Sequence, residues 1–415
     1  MQRRKFIATA LGAGILAGVS RGAIMTPSPP GGLIGPDRFS DRIKPITAGE
    51  RAARVEKARR LMREAEIDML LIEGGATMRY FSNVRWGRSE RTFLMALPSD
   101  GEAWFVAPKF EESRAIEQVG AAPLYTWEED ESPFALVARV ASDRGLAVAT
   151  IGLEETVRYF IAEGIGTALG SARIVNGTTV TAECRGVKSD AELSLMQVAN
   201  DITAEVFTHA VTTLRPGMTE AELAKTISRK FSEFGVGGGA LVLFGKASAH
   251  PHGLEAEHTL GEGDIVLIDG GCSAGDYQSD VTRTTVFGTP TDRMKTIFDI
   301  VLRAQSTALR AARPGVSAES IDAAARKVIT DAGFGPGYRY LTHRLGHGIG
   351  MEGHEWFYLV KENTRPETVG EVHSNEPGIY IPGEFGVRIE DEMVITADGA
   401  RLMLPSPASL GKIFG

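Results

Sequence analysis

The chain has 415 residues, 43% hydrophobic and 24% charged, with 45 Lys and Arg against 53 Asp and Glu for a formal charge of -8. That length suggests about two domains of roughly 100–200 residues each, and the composition excludes a disordered chain. Basic residues are interrupted by acids throughout, which gives no sign of a nucleic-acid partner, and the only two cysteines, Cys184 and Cys272, exclude a disulfide-rich scaffold or a four-cysteine metal centre.

Residues 1–23 carry a basic head with Arg3, Arg4 and Lys5, then a short apolar run to Val19. The run falls short of the ~20 apolar residues a membrane span needs. Its adjacent arginines look like a twin-arginine export signal, so an exported, periplasmic protein is expected, with no stable membrane span in its mature form. An uncleaved segment that tethers the chain to the membrane is the rival reading. Residues 24–46, which contain TPSPPGGLIG, read as a flexible lead-in.

Residues 47–180 read as an α/β unit. The spacing predicts a helix over Ala48 to Ala65 and a short buried strand in IDMLLIEGG. Strands are predicted at Arg91 to Leu97 and Glu102 to Val106 around the PSDG turn, followed by a helix from Pro108 to Gln118. Leu146 to Ile151 and Ala172 to Val175 add strands, with a helix from about Glu155 to Ile165 between them. TAECRGVK, residues 181–188, is the expected linker, because a long helical pattern follows it. Ser189 and Glu192 fit a capping box there, with Leu193, Met196, Ile202 and Val206 on one apolar face.

The second unit, 189–415, contains a weak internal repeat. LRPGMTEAELAKTISRKF starts at Leu214 and ARPGVSAESIDAAARKVI at Ala312; each has Arg-Pro-Gly, a hydroxyl residue two positions later and an amphipathic helix. Thr219 with Glu222 fits a capping box, whereas Ser317 meets Ser320 and supplies only the cap. Two related half-domains would place their strands around a shared cleft.

The chemistry-bearing residues follow. Asp269 ends an apolar strand, and the glycines after it allow the chain to turn. Asp280, eleven residues on, adjoins the β-branched run VTRTTVF, and a hairpin would bring the two carboxylates together. Cys272, three residues past Asp269, reads as a packing residue or a neighbour of the site. HRLGHGIGMEGHE supplies His343, His347 and His354 among glycines that argue against a regular helix. SNEPGIYIPGEFGVRIED places Glu376 before a turn and Glu390 on a short strand. Arg388 shares the face of Glu390, where it would orient a carboxylate or form a structural salt bridge. Hard oxygen donors with one imidazole suit manganese, cobalt or zinc. Four carboxylates and one histidine serve two divalent ions only if some carboxylates bridge, which gives a reason for clustering acids that otherwise repel.

These motifs resemble the metallopeptidase family with the pita-bread fold, especially its branch of Xaa-Pro dipeptidases and aminopeptidases P. The resemblance is strong from about Asp190 to the C-terminus and looser before it. It implies an α/β N-terminal creatinase-like domain followed by an α+β pita-bread catalytic domain with pseudo-twofold symmetry. It further implies that Asp269, Asp280, His347, Glu376 and Glu390 ligate two divalent ions, manganese first and cobalt or zinc next. His252, in GKASAHPHG, matches a histidine at the cleft mouth, and His354 one that contacts the bound peptide; His250 does not match, and His343 would stand behind the ligands. In a homodimer, Arg85 and Trp86 of MRYFSNVRW would narrow the cleft of the neighbouring subunit, with a domain-core role the equal alternative for Trp86.

The reaction implied is hydrolysis of the peptide bond preceding proline in dipeptides or short peptides. Solvent held between ions ~3.5 to 4 Å apart attacks the carbonyl. His354 and His252 stabilise the oxyanion, and Glu376 moves a proton to the proline nitrogen. The stretch after His354, EWFYLVKENTRPET, lacks the arginine just beyond a proline seen in some dipeptidases, which weakens any tight clamp on a free carboxylate. The alternatives are a hydrolase or lyase of a small non-peptide metabolite on the same metal site, and a non-catalytic metal-stabilised binding protein.

Overall fold

The structure, a computed structural model, describes residues 37–147 and 149–415. The export-signal expectation for residues 1–23, and the lead-in as far as residue 36, lie outside the described residues. The rest of the lead-in is anchored rather than free. A short helix α1 (Asp37–Ser40) carries Phe39, which is buried against Val198, Ile202 and Phe207, and Arg42 meets Asp201 at 2.5 Å. Burying a phenylalanine side chain contributes about 1.5–3 kcal/mol, enough to hold such a segment.

Helix α2 (Ala48–Glu64) opens on a capping box between Thr47 and Glu50. It precedes the fully buried strand β1 (Met69–Glu73), the helix α3 (Ala76–Ser82) and the strands β2 (Leu94–Pro98) and β3 (Trp104–Pro108). After α4 (Glu112–Val119) come β4 (Leu124–Trp127), α5 (Pro133–Asp143), β5 (Thr150–Leu153), α6 (Tyr159–Leu169), β6 (Arg173–Asn176) and α7 (Thr178–Gly186). The six strands form one mixed sheet in the order β4-β3-β2-β1-β5-β6. Apolar clusters cover both faces, one centred on Ile72, Met95 and Phe105 and the other on Leu71, Trp104 and Val106, as the period-2 alternation of strand side chains requires. Within the expected linker at 181–188 the chain is helical rather than irregular: Thr181 to Gly186 are the last six residues of α7, with Thr181, Cys184 and Arg185 buried. Only Val187 and Lys188 are extended, bridging to Glu371 and Gly370.

The second unit is two copies of one plan. In the first, α8 (Asp190–Thr212) and α9 (Glu220–Glu233) pack on strands β7 (Gly237–Phe244), β8 (Ile265–Ala274) and β10 (Val281–Val286), with the short β9 (Tyr277–Gln278) beside β8. In the second, α10 (Asp292–Ala311) and α11 (Ala318–Asp331) precede the five-stranded sheet β12-β11-β13-β16-β17. Its members are β11 (Gly346–Gly348), β12 (Glu355–Leu359), β13 (Val372–Asn375), β16 (Asp391–Thr396) and β17 (Gly399–Leu402), and the hairpin β14 (Gly378–Ile381) with β15 (Phe385–Arg388) lies between β13 and β16 in sequence. The Arg-Pro-Gly repeats form the turns into α9 and α11, where Gly217 and Gly315 adopt φ of 74° and 82°, a region side chains disfavour. Thr219 makes its capping box, but the Ser317 hydroxyl turns to Ser320 at 2.7 Å and makes no cap bond.

The two sheets join at one bridge, Thr282 to Glu390, with the Glu390 N–H donating to the Thr282 carbonyl at 3.1 Å. The architecture is the expected creatinase-like α/β domain followed by a pita-bread α+β domain with pseudo-twofold symmetry. No helix among the described residues is long and apolar enough to cross a membrane.

Candidate metal centre

The sheet junction floors a cavity of about 670 Å³ whose lining includes Asp269, Asp280, His347, Glu376 and Glu390. Register explains the first two. Antiparallel pairing of β8 with β10 sets Asp269 opposite Thr282, and Asp280 immediately precedes β10. The paired glycines after Asp269 do not turn the chain, because β8 continues to Ala274. They allow close approach instead: a Cβ on Gly270 would lie 2.3 Å from the Gly239 carbonyl oxygen, and one on Gly271 would meet that of Ser279. His347 comes from β11, Glu376 follows β13, and Glu390 lies between β15 and β16, so five side chains from distant stretches meet at one place.

Ligand-type atoms of Asp269, Asp280 and Glu390 lie within 4.8 Å of one another, and so do those of His347, Glu376 and Glu390. Glu390 belongs to both groups. The Thr282 hydroxyl lies 2.9 Å from Asp269 Oδ1 and 2.6 Å from Glu390 Oε2, yet its single hydrogen serves only one of them at a time. Arg388 Nη2 meets Asp269 Oδ2 at 2.5 Å. Burial, then the charges of Asp269 and Glu376, push Asp280 well above the usual carboxylate range. Burial with Asp280 and Glu376 does the same to Glu390. Burial lifts Glu376 to about 7 against the opposing pull of Arg388.

His347 tests whether this array fits a cation. Its Nδ1 lies 3.0 Å from the Gly348 carbonyl, which places the ring proton there and leaves a lone pair on Nε2. That lone pair faces Glu376 Oε1 at 3.4 Å and Asp280 Oδ2 at 3.9 Å. Burial and the neighbouring His354 hold the imidazole down to about 4, so it carries no proton on Nε2 at neutral pH. Acceptor facing acceptor in a buried anionic cluster is the donor chemistry a divalent cation satisfies. The residues fit the ions that the sequence implies.

Residues 194–397 match the description of metallopeptidase family M24, and residues 54–187 that of the creatinase/prolidase N-terminal domain. The chain is 39% identical over 355 residues to uncharacterized peptidase C18A7.01 of Schizosaccharomyces pombe, covering 80% of this chain and 76% of the relative. The chain belongs to metallopeptidase family M24. Among solved structures it resembles dipeptidase PepE from Mycobacterium ulcerans, with a TM-score of 0.81 and 33% identity over 87% of this chain and 97% of that one. The Xaa-Pro dipeptidase from Bacillus anthracis gives 0.76 and 29% over 85% and 97%. Membership makes this chain a metallopeptidase whose cluster of acids and histidine is able to chelate a divalent ion.

Other residues of this M24 chain fall around the centre or away from it. His354 is exposed at the cavity, its ring stacked on His347 at 3.8 Å, and a ligand-type atom of it lies within 4.8 Å of those of Asp280 and His347. His252 is exposed on the same cavity, with His250 beside it. His343 hydrogen-bonds the Tyr380 hydroxyl at 2.8 Å and lies 3.8 Å from Glu376 Oε2. Arg388 is wholly occupied by protein: besides Asp269 it donates to Thr282, Tyr380 and the Pro251 carbonyl. Trp86 stacks on Phe93 at 4.1 Å in the N-terminal core, outside the cavity lining, and Arg85 pairs with Asp276. Cys272 is a packing residue, its thiol against the Ala199 carbonyl and pushed up to about 11 by burial. A second buried group, Glu367, Glu371 and His373, has its counter-groups within the protein: Glu367 meets His373 Nε2 and Glu371 meets Arg365, both at 2.6 Å. Thr282, Tyr380 and Arg344 also belong to this region; each lies within one of the motifs above, but nothing local marks it, and their contacts exist only where the two sheets meet.

Proposed function

We propose that this protein hydrolyses the peptide bond preceding proline in Xaa-Pro dipeptides or short peptides, using two divalent ions held by Asp269, Asp280, His347, Glu376 and Glu390, manganese before cobalt or zinc. The observation that carries this reading is the convergence of those five side chains around an anionic cavity in an M24 chain. Similarity to the Xaa-Pro dipeptidase from Bacillus anthracis supports the proline specificity. Bound there, the ions would polarise the scissile carbonyl and bring the pKa of the attacking water toward about 7.

The chain's own groups supply the proton transfers and the orientation. Glu376, on the cavity wall beside His347 and His354, accepts the proton of the attacking water and returns it to the departing proline nitrogen. The Ser374 hydroxyl, 3.0 Å from Glu376 Oε1, steers that carboxylate. His354, exposed over the cavity, and His252 at its mouth donate to the carbonyl oxygen as charge develops. Arg388 serves this step by fixing Asp269 rather than by reaching substrate. Trp86, buried on Phe93, takes the core role rather than one in the cleft; the homodimer rests on the family resemblance alone, and export to the periplasm on the twin-arginine segment.

The test is hydrolysis of Xaa-Pro dipeptides, longer Xaa-Pro peptides and non-peptide amides by protein loaded with manganese, cobalt or zinc. Cleavage of the Xaa-Pro bond is expected. Turnover of the amides alone, or of nothing by metal-loaded protein, overturns the reading.

A further inference from the structure

Two arginines line the catalytic cavity, and they are in opposite states. Arg388 is buried and spends its guanidinium on Asp269, Thr282, Tyr380 and Pro251. Arg344 has no carboxylate partner among the described residues; its guanidinium lies on the face of Tyr358, 4.0 Å from the ring centroid. That stacking holds the charged plane in place while leaving its N–H groups unspent. Arg344 is the second residue of HRLGH, three positions before His347, and the cavity wall also carries Glu376 and His354.

A partly buried guanidinium fixed on an aromatic ring, beside a centre whose own acids are committed to one another, is built to receive an anion from outside the protein. The anion that a peptide brings to the leaving-group side is its terminal carboxylate. In an Xaa-Pro dipeptide that carboxylate sits on the ring carbon bonded to the nitrogen that Glu376 protonates, so the two groups must be bound on neighbouring parts of one wall. Planar guanidinium and planar carboxylate match in a bidentate pair.

We propose that Arg344 is the specificity-determining residue that anchors the free carboxylate of the residue after the scissile bond, making this protein a dipeptidase rather than an enzyme for longer peptides. It would do from β11's approach what the absent arginine beyond His354 would otherwise do. The inference rests on the peptidase reading above.

The experiment compares wild type, R344A and R344K, manganese-loaded, on Ala-Pro and Ala-Leu, each as free acid and as C-terminal amide. Wild type should favour acid over amide by about 10- to 100-fold in kcat/KM, the range of one charged hydrogen-bonded contact. The effect should lie mainly in KM. In R344A the acid-to-amide ratio should fall to near one, and R344K, which keeps the charge without the fork, should fall between. Equal use of acid and amide by wild type overturns the proposal, as does a ratio unchanged in R344A. If only the Ala-Leu pair is cleaved and shows the ratio, the proline reading fails while the Arg344 assignment stands. If no pair is cleaved, both fail.

Discussion

Replacing Glu355 by Gln should cost about 3 kcal/mol at neutral pH, and the cost should disappear in acid. Glu355 is 4% exposed at the start of β12, with Arg185 at 2.5 Å and Lys188 at 3.2 Å, both from the junction after the N-terminal domain. Burial alone would raise its pKa, but Lys188 and Arg185 overcome it and hold the group at about 2, against an ordinary 4.5. At 1.36 kcal/mol per pKa unit, that gap gives about 3 kcal/mol. The folded pKa lies below the unfolded one, so this stability is present above pH 4.5 and is lost as pH falls from 4.5 toward 2. Gln has the shape of the protonated acid, so it should remove the charged contribution at every pH. Urea unfolding of both proteins at pH 7 and pH 3, followed by tryptophan fluorescence, reads the difference directly. A gap below about 1 kcal/mol at pH 7, or one just as large at pH 3, would refute the argument.

The remaining predictions concern the centre. Asp280→Asn should lose metal and activity yet fold, and because Asp280 is held well above its ordinary range by burial and like charge, the metal-free variant should melt above metal-free wild type. Manganese at 100 times its Kd should stabilise wild type by about 2.7 kcal/mol per site and the variant by less; full metal occupancy with normal turnover in the variant would sink the ligand assignment. Gly270→Ala places a Cβ 2.3 Å from the Gly239 oxygen and 2.8 Å from Ala240 Cα, so β7 and β8 must part beside Asp269. A loss of about 1–3 kcal/mol with weakened manganese binding is expected by calorimetry, and an unchanged melting point would count against close approach as the reason for that glycine.

How much of this was legible depended on how local each cause is. A carboxylate at a strand end, a histidine among glycines and a Glu-Pro-Gly turn are each written in a few adjacent residues, so the five that converge at the cavity could be picked out before their meeting place was known. The helix starts at Ser189 and Thr219 were legible for the same reason, since a capping box closes within four residues. Gly270 and Gly271 misled because a glycine pair reads locally as a turn, whereas the constraint comes from β7 and from Ser279 across the sheet. TAECRGVK looked like a linker because a long helical pattern follows it and its single glycine weakens the helical signal before it. Tertiary contacts override that propensity: Arg185 donates to Thr77 from α3 and to Glu352 and Glu355 from the far domain.

The same contacts explain how the N-terminal domain acts on a cavity whose lining lies in the other domain. His354 and Glu355 are consecutive, and consecutive side chains at a strand point to opposite sides. One faces the cavity and the other the domain seam. Glu355 Oε1 also accepts the backbone N–H groups of Met351 and Glu352 at 2.9 and 3.2 Å, so the carboxylate that grips Arg185 shapes the turn carrying His354. Trp356 extends the grip by donating to Glu155 at 2.7 Å. Loosening this seam should therefore move the imidazole relative to His347, its stacking partner, before it unfolds anything. In Glu355→Gln the fall in kcat should exceed the fall in folded fraction; a kcat that merely tracks the folded fraction would show that the seam stabilises the domains without positioning His354.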